Sequence, residues 1–221
     1  MFGGKLRSGG RVRVKICGIT NEPDALAAIE AGADALGFNL VRGSKRYIDI
    51  RADAGWIDKL PKEICKVAVT VNPSWDEAFR ISHLPFIDAL QLHGNESAEF
   101  CGRLAEAGIQ FAKALPVEDS KSLLNVPEFS TDTVILDSAS GREFGGTGKV
   151  FPWKLARQFV ETHPNLNVIL AGGLTPENIA EAVRRVCPHG VDVTTGVEAS
   201  PGRKDHRLIE AFIRAARRVE G

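Results

Sequence analysis

The stretch Val14-Lys-Ile-Cys-Gly-Ile-Thr20 reads as a strand that gives way to a loop at a cysteine and a glycine. Strand side chains alternate between faces, so Lys15, Cys17 and Ile19 are expected on one face and Val14 and Ile16 on the other. A doubly wound sheet that binds a dinucleotide needs a glycine-rich turn after its first strand, and Cys17-Gly-Ile-Thr20 offers one glycine. The stretch therefore favours a sheet that closes on itself, with the thiol aimed at the interior.

Working outward, short β-rich runs recur at residues 13–19, 35–40, 65–71, 87–92, 110–115, 133–137, 167–171 and 190–194. Each is followed by a polar or glycine-containing loop and a segment with helical spacing, the signature of repeated βα units. Eight units spaced by roughly 25 residues suit a single (βα)8 TIM barrel, an α/β fold with a closed, parallel, eight-stranded sheet. Helix starts are expected at Asn21-Glu-Pro-Asp24, Ser74-Trp-Asp-Glu77, Asn95-Glu-Ser97 and Thr175-Pro-Glu-Asn178, where polar caps precede acids or proline. Ala31-Gly32 and Ala107-Gly108 carry stop signals. The weakest helices are those at 51–60 and 118–124. Residues 1–12 read as a flexible leader and 13–221 as one barrel domain.

The composition is that of an ordinary globular chain, with 43% hydrophobic and 25% charged residues over 221 positions. Basic and acidic residues number 28 each, so no global field favours nucleic acid or an anionic membrane, and anion binding has to be local. No apolar run approaches a membrane span. Cys17, Cys65, Cys101 and Cys187 are widely spaced with no metal-type pattern, which suggests reduced thiols in the cytoplasm and no metal site.

In a barrel of this type reactive groups gather at the carboxyl ends of the strands. Those ends carry Cys17, Arg46 through Ser44-Lys45, Gln91-Leu-His93-Gly94, Asp137, Ala171-Gly-Gly-Leu174 and Asp192-Val-Thr-Thr-Gly-Val-Glu198. Gly172-Gly173 and Thr195-Gly196 would let backbone amides close on a phosphate, although glycines also serve simply to make tight turns. Cys17 alone reads more readily as a small packed hydrophobe. Asp137 follows the apolar run Val134-Ile-Leu136 on the face of Ile135, where it is either functional or the partner of a cap or a cation. His93 reads as a satisfied core histidine. Lys113, interior by alternation, reads as a structural ion pair before a Schiff-base lysine.

With these residues placed, the chain resembles the phosphoribosylanthranilate isomerase family from Arg13 to Arg218. The resemblance rests on Lys15-Ile-Cys-Gly-Ile-Thr20, Gln91-Leu-His-Gly94 with Glu96, Leu136-Asp137, Gly145-Gly-Thr-Gly148, Leu170-Ala-Gly-Gly-Leu174, Asp192-Val-Thr-Thr-Gly-Val-Glu198 and Pro201-Gly-Arg-Lys-Asp205. It implies an Amadori rearrangement of a small phosphorylated substrate in tryptophan biosynthesis, without cofactor or metal, by a monomer or homodimer. Asp137 matches the family's general acid, a role that needs a carboxyl group kept protonated near neutral pH by desolvation. Cys17 matches the general base, which acts as thiolate and so calls for a positive neighbour. Arg46 matches the residue near the anthranilate carboxylate; Gly172, Gly173, Thr195 and Gly196 match the phosphate turns; Asp192 and His93 are expected to support the site.

Two departures stand out. Ser44-Lys45-Arg46 replaces the usual Ser-Pro-Arg, which is expected to free the loop before Arg46, and Thr194-Thr195-Gly196 replaces Ser-Ser-Gly, keeping a hydroxyl. The glycine-flanked segment Gly141-Arg-Glu-Phe-Gly-Gly-Thr-Gly148 reads as a closing loop. The related histidine-pathway isomerases carry an aspartate where Cys17 stands and need a second phosphate cradle. A barrel that had lost catalysis would have replaced Cys17 or Asp137.

Overall fold

A computed structural model describes residues 11–117, 123, 129–138 and 153–218. The expected closing loop at 141–148 and most of the weak helix at 118–124 lie outside them. The chain alternates strands β1 (Arg13–Cys17), β2 (Ala35–Asn39), β3 (Cys65–Thr70), β4 (Ala89–Leu92), β5 (Phe111–Val117), β6 (Thr133–Ser138), β7 (Asn167–Leu170) and β8 (Gly190–Val193). The helices are α1 (Glu22–Glu30), α2 (Ala54–Ile57), α3 (Trp75–Ser82), α4 (Ala98–Glu106), α5 (Trp153–Thr162), α6 (Ile179–Val186) and α7 (His206–Arg217). A small antiparallel hairpin, β9 (Glu198–Ser200) with β10 (Arg203–Lys204), precedes α7. Strands β1 to β8 pair in order and β8 returns to β1, so the parallel sheet is the expected closed barrel.

Two apolar layers follow from strand alternation. One face of the strands, with Ile16, Leu36, Phe38, Leu90, Leu136 and Leu170, packs under the helices against Leu104, Ile179 and Phe212. The other face fills the barrel with Ala35, Val67, Ala112, Ala114, Ile135, Ile169 and Ala171. This inner set is unusually small in volume, and the remaining interior holds charge: Lys15 of β1 and its register partner Asp192 of β8 bond at 2.9 Å, both buried.

The caps behave largely as the sequence suggests. Asn21, Ser74 and Ser97 accept from the backbone N–H of Asp24, Glu77 and Phe100, and Gly32 and Gly108 take φ of +95° and +72° past α1 and α4. Thr175-Pro-Glu-Asn178 departs from expectation. It folds as a turn ahead of α6, because the Asn178 side chain accepts from Thr175 N at 2.9 Å and donates to Gly173 O at 2.9 Å instead of capping the helix.

Two inward assignments are corrected. Ile19 leaves the face of Lys15 and Cys17 and joins the layer under the helices, because β1 ends at Cys17 and Gly18 turns the chain with φ +74°. Lys113 shares the outer face with Phe111 and Leu115, while Ala112 and Ala114 point inward. Its Nζ donates to Glu96 Oε2 at 2.9 Å, Gly94 O at 2.7 Å and Ala114 O at 3.1 Å, so the ion pair expected of it is present. Glu96 in turn accepts from the N–H groups of Asn72 and Gly94, tying the β3 and β4 loops together.

At the amino ends of the strands, buried Asp34 collects Val14 N at 2.9 Å, Arg11 at 2.7 Å, Arg13 at 3.3 Å and Arg217 at 3.4 Å. Val12 is buried in the layer under the helices, while Arg11 reaches Asp34 from an exposed position. No described helix is long and apolar enough to cross a membrane.

Removing one partner of a buried pair leaves the other charge uncompensated. Lys113→Met strands Glu96, whose side chain is 2% exposed, and should cost about 3 kcal/mol in urea unfolding; a cost below about 1 kcal/mol would show the pair to be energetically idle.

Candidate active site

The carboxyl ends of the strands bring two groups of side chains to one mouth. The first surrounds Cys17, the last residue of β1 and 8% exposed. Gly18 and Ile19 both donate backbone N–H to Gly37 O, at 2.9 and 3.0 Å, so the chain folds back tightly after the thiol. Gly18 is required twice over: by its positive φ, and because an added Cβ would lie 2.7 Å from Arg46 Cδ and 3.2 Å from Thr194 Cγ2. Arg46 therefore lies across the turn that follows Cys17.

Arg46 is held by Glu198 in a two-point bond, Nε to Oε1 and Nη2 to Oε2, each 2.7 Å. Lys204 donates to Glu198 Oε1 at 3.3 Å and to Thr194 O at 3.1 Å. Burial works against the Glu198 carboxylate, but the Arg46 bond and the Lys204 charge outweigh it and hold the group below the usual range. Burial in turn pushes the Lys204 ammonium down. The hairpin bearing Glu198 and Lys204 is pinned by Thr20 Oγ1 to Gly202 O at 2.6 Å and by Lys204 N to Asp24 at 2.9 Å.

The loop before Arg46 is tied down without the proline that the sequence comparison leads one to expect. The Ser44 hydroxyl accepts from Arg46 N at 3.1 Å and from Asn39 Nδ2 at 3.2 Å, and the Lys45 carbonyl abuts Gly202. The freeing of this loop expected from Lys45 is thus countered by Ser44.

The second group surrounds Asp137 near the end of β6, on the other side of β7 and β8 from Cys17. His93 Nε2 lies 3.3 Å from Asp137 Oδ2, and His93 Nδ1 lies 3.1 Å from Gln91 Nε2. His93 is a quarter exposed at the mouth, so it is not the core histidine its sequence position suggests. Asp137 is 23% exposed at the mouth. An added Cβ at Gly172, where φ is +81°, would overlap Ser138 and the Asp137 carboxylate, so this glycine admits the acid as well as making the turn.

The two glycine turns also touch. An added Cβ at Gly196 would overlap the Leu174 carbonyl, so the Thr195–Val197 3-10 turn packs directly on the chain after Gly173. Thr195 is exposed and Gly173 takes φ +65°. Asp192 is buried against Lys15 below Cys17. No described His, Cys, Asp or Glu residues gather in threes to hold a metal.

Among the described residues, Cys17, Arg46, His93, Asp137, Gly172, Gly173, Asp192, Thr195 and Gly196 thus lie at or just beneath this mouth. Sequence reasoning gives Glu198, Lys204 and Gln91 no role, although all three stand in quoted motifs. Lys15 was placed inward without a partner. The signal for one was available, because β8 adjoins β1 in any closed barrel and Asp192 is inward on it.

A parallel barrel with a thiol, a carboxyl group and paired glycine turns at its carboxyl-end mouth defines an enzyme of the TIM-barrel class. The family model for N-(5'phosphoribosyl)anthranilate (PRA) isomerase matches residues 14–215, and the chain belongs to that family. A relative of that name from Thermotoga neapolitana is 42% identical over 207 residues, covering 93% of this chain and 98% of that protein. Another from Geobacter metallireducens is 44% identical over 206 residues, covering 93% and 99%. The crystal structure of the Thermotoga maritima enzyme matches with a TM-score of 0.84 at 40% identity, covering 93% and 98%. A family structure in complex with reduced 1-(o-carboxyphenylamino)-1-deoxyribulose 5-phosphate matches at 0.80 and 38%, with the same coverage.

The depressed Glu198 carboxylate contributes stability above its unfolded value of about pH 4.3, and that contribution is lost as pH falls through its lower folded value. Glu198→Gln should therefore melt below wild type at neutral pH, with the gap closing on acidification. A gap that stays constant down to about pH 2 would refute the assignment.

Proposed function

We propose that this protein converts N-(5'-phosphoribosyl)anthranilate to 1-(2-carboxyphenylamino)-1-deoxyribulose 5-phosphate in tryptophan biosynthesis, as a cytoplasmic monomer or homodimer without a cofactor. The observation that carries this reading is a thiol and a carboxyl group at the ends of β1 and β6, facing one mouth in a member of this family.

Asp137, as the acid, gives its proton to the furanose ring oxygen while the C1–O bond breaks, and the nitrogen lone pair forms a C1=N iminium. His93, bonded to Asp137, orients the carboxyl group. Cys17, as thiolate, then takes the C2 proton, and the released pair forms C1=C2 as the C1=N pair returns to nitrogen. The resulting enolamine gains a proton at C1 and loses one from the C2 hydroxyl, giving the ketone. Atoms and charge balance with no redox partner.

Binding is assigned by the same logic. The amides of Gly172, Gly173, Thr195 and Gly196 receive the phosphate at the two touching turns. Arg46 takes the anthranilate carboxylate. Glu198 occupies its Nε and one face of Nη2, which leaves three of the five guanidinium N–H bonds for the substrate and fixes their direction. Asp192 supports the site through Lys15.

The test is loss of anthranilate-type fluorescence as freshly generated substrate meets wild type, Cys17→Ala and Asp137→Ala. Wild type should consume the signal, and each variant should lose about 10²–10⁴-fold in kcat while remaining folded. A folded wild type that leaves the signal unchanged sinks the activity; a fully active variant sinks the role of that residue.

A further inference from the structure

The thiolate that the proposed mechanism needs raises the question of what favours the anion at Cys17. Lys15 is fully buried two residues earlier on the same inward face of β1. A Cβ built on Gly37, the register partner of Cys17, would lie 2.6 Å from Cys17 Sγ and 2.9 Å from Lys15 Nζ. The sulfur and the ammonium are therefore no more than 5.5 Å apart, the sum of those distances, with the missing Gly37 side chain as the space between them.

A buried lysine ordinarily sheds its proton. Burial does oppose the charge on Lys15, but Asp192 Oδ2 at 2.9 Å and the neighbouring Cys17 reverse the balance and keep its proton bound well above the usual lysine range. The ammonium is thus a fixed charge across the working pH range. Asp192 Oδ1, also buried, makes no hydrogen bond among the described residues, so that carboxylate is committed to Lys15.

A charge pair in a barrel interior is a poor device for stability, since apolar residues of similar size do as well. Other charges near the thiol are the Arg46 guanidinium from the loop after β2, Glu198 of β9 and Lys204 of β10, and the two cations there are bonded to Glu198. Gly37 contributes no charge from β2.

We propose that Lys15, held charged by Asp192, is the positioning residue that sustains the Cys17 thiolate, so that the buried pair acts as an electrostatic support for the base. This inference rests on the assignment of Cys17 as the base.

The experiment is iodoacetamide labelling of native protein between about pH 6 and 9, with each cysteine followed by peptide mass spectrometry. The exposed Cys187 is the internal reference. Lys15→Met, and Lys15→Met combined with Asp192→Asn so that no lone buried charge remains, should each label Cys17 about tenfold more slowly near pH 7, with the rate recovered at higher pH. The acid limb of kcat/KM should move up in parallel. A folded variant with an unchanged Cys17 profile overturns the proposal. If neither variant folds, wild type still decides: the ratio of Cys17 to Cys187 labelling should fall as pH rises, and a flat or rising ratio overturns the proposal. Cys17→Ala with full activity would instead remove the base assignment, whatever the labelling shows.

Discussion

The rest of the molecule is arranged around the seam where β8 returns to β1. Closing a parallel sheet buries two strand faces at once, and the inner face must be filled without crowding. Here the filling is mostly alanine, with a lysine and an aspartate meeting across the seam. The small residues leave room for a long side chain, and the long side chain needs a counter-charge because it is fully buried. The pairing of Lys15 with Asp192 at equal height on adjacent strands meets both needs. It also fixes β8 against β1 in the register that brings Thr194 over Gly18 and Arg46 over both.

The two halves of the mouth are built differently. Around Cys17 the polar groups are locked by charge: Arg46, Glu198 and Lys204 form a chain anchored through the hairpin to the start of α1. Around Asp137 the contacts are imidazole and amide groups in series: His93 Nε2 faces the carboxylate and His93 Nδ1 faces the Gln91 side chain. That contrast suits the proposed division of labour, a base in fixed surroundings and an acid that gives up and regains a proton. The contact between Gly196 and the Leu174 carbonyl packs the two glycine turns directly on each other.

Much of this is legible in the sequence because parallel barrel strands are short and apolar. The observed β2, β3 and β7 each end one residue before the expected limit, where the chain leaves the ladder for a turn. The errors have local causes. Phe111-Ala-Lys-Ala-Leu115 satisfies alternation in either phase, since alanine suits both layers; what decides it is that a lysine pointing outward reaches Gly94 O and Glu96. Ile19 is misread because a positive φ at Gly18 resets the alternation, a conformation glycine permits but does not announce. Thr175 looks like a helix cap ahead of Pro176 and Glu177, but the Asn178 side chain closes those residues into a turn and the helix begins after it. In the site, Cys17, Asp137 and the glycines are visible from their places at strand ends. The role of Glu198 is not, because it depends on a hairpin folding back over a loop some 150 residues earlier, as the 152-residue separation of its bond to Arg46 records.

Asp34 lies at the opposite end of the barrel from this chemistry. One carboxylate receives Arg11 and Arg13 from the lead-in to β1 and Arg217 from the close of α7. The lead-in to β1 and the close of α7 are thereby stitched to a single point. This clasp lies on the face away from the reactive mouth, so the side of the barrel that joins β1 to α7 is held together independently of the side that carries Cys17 and Asp137.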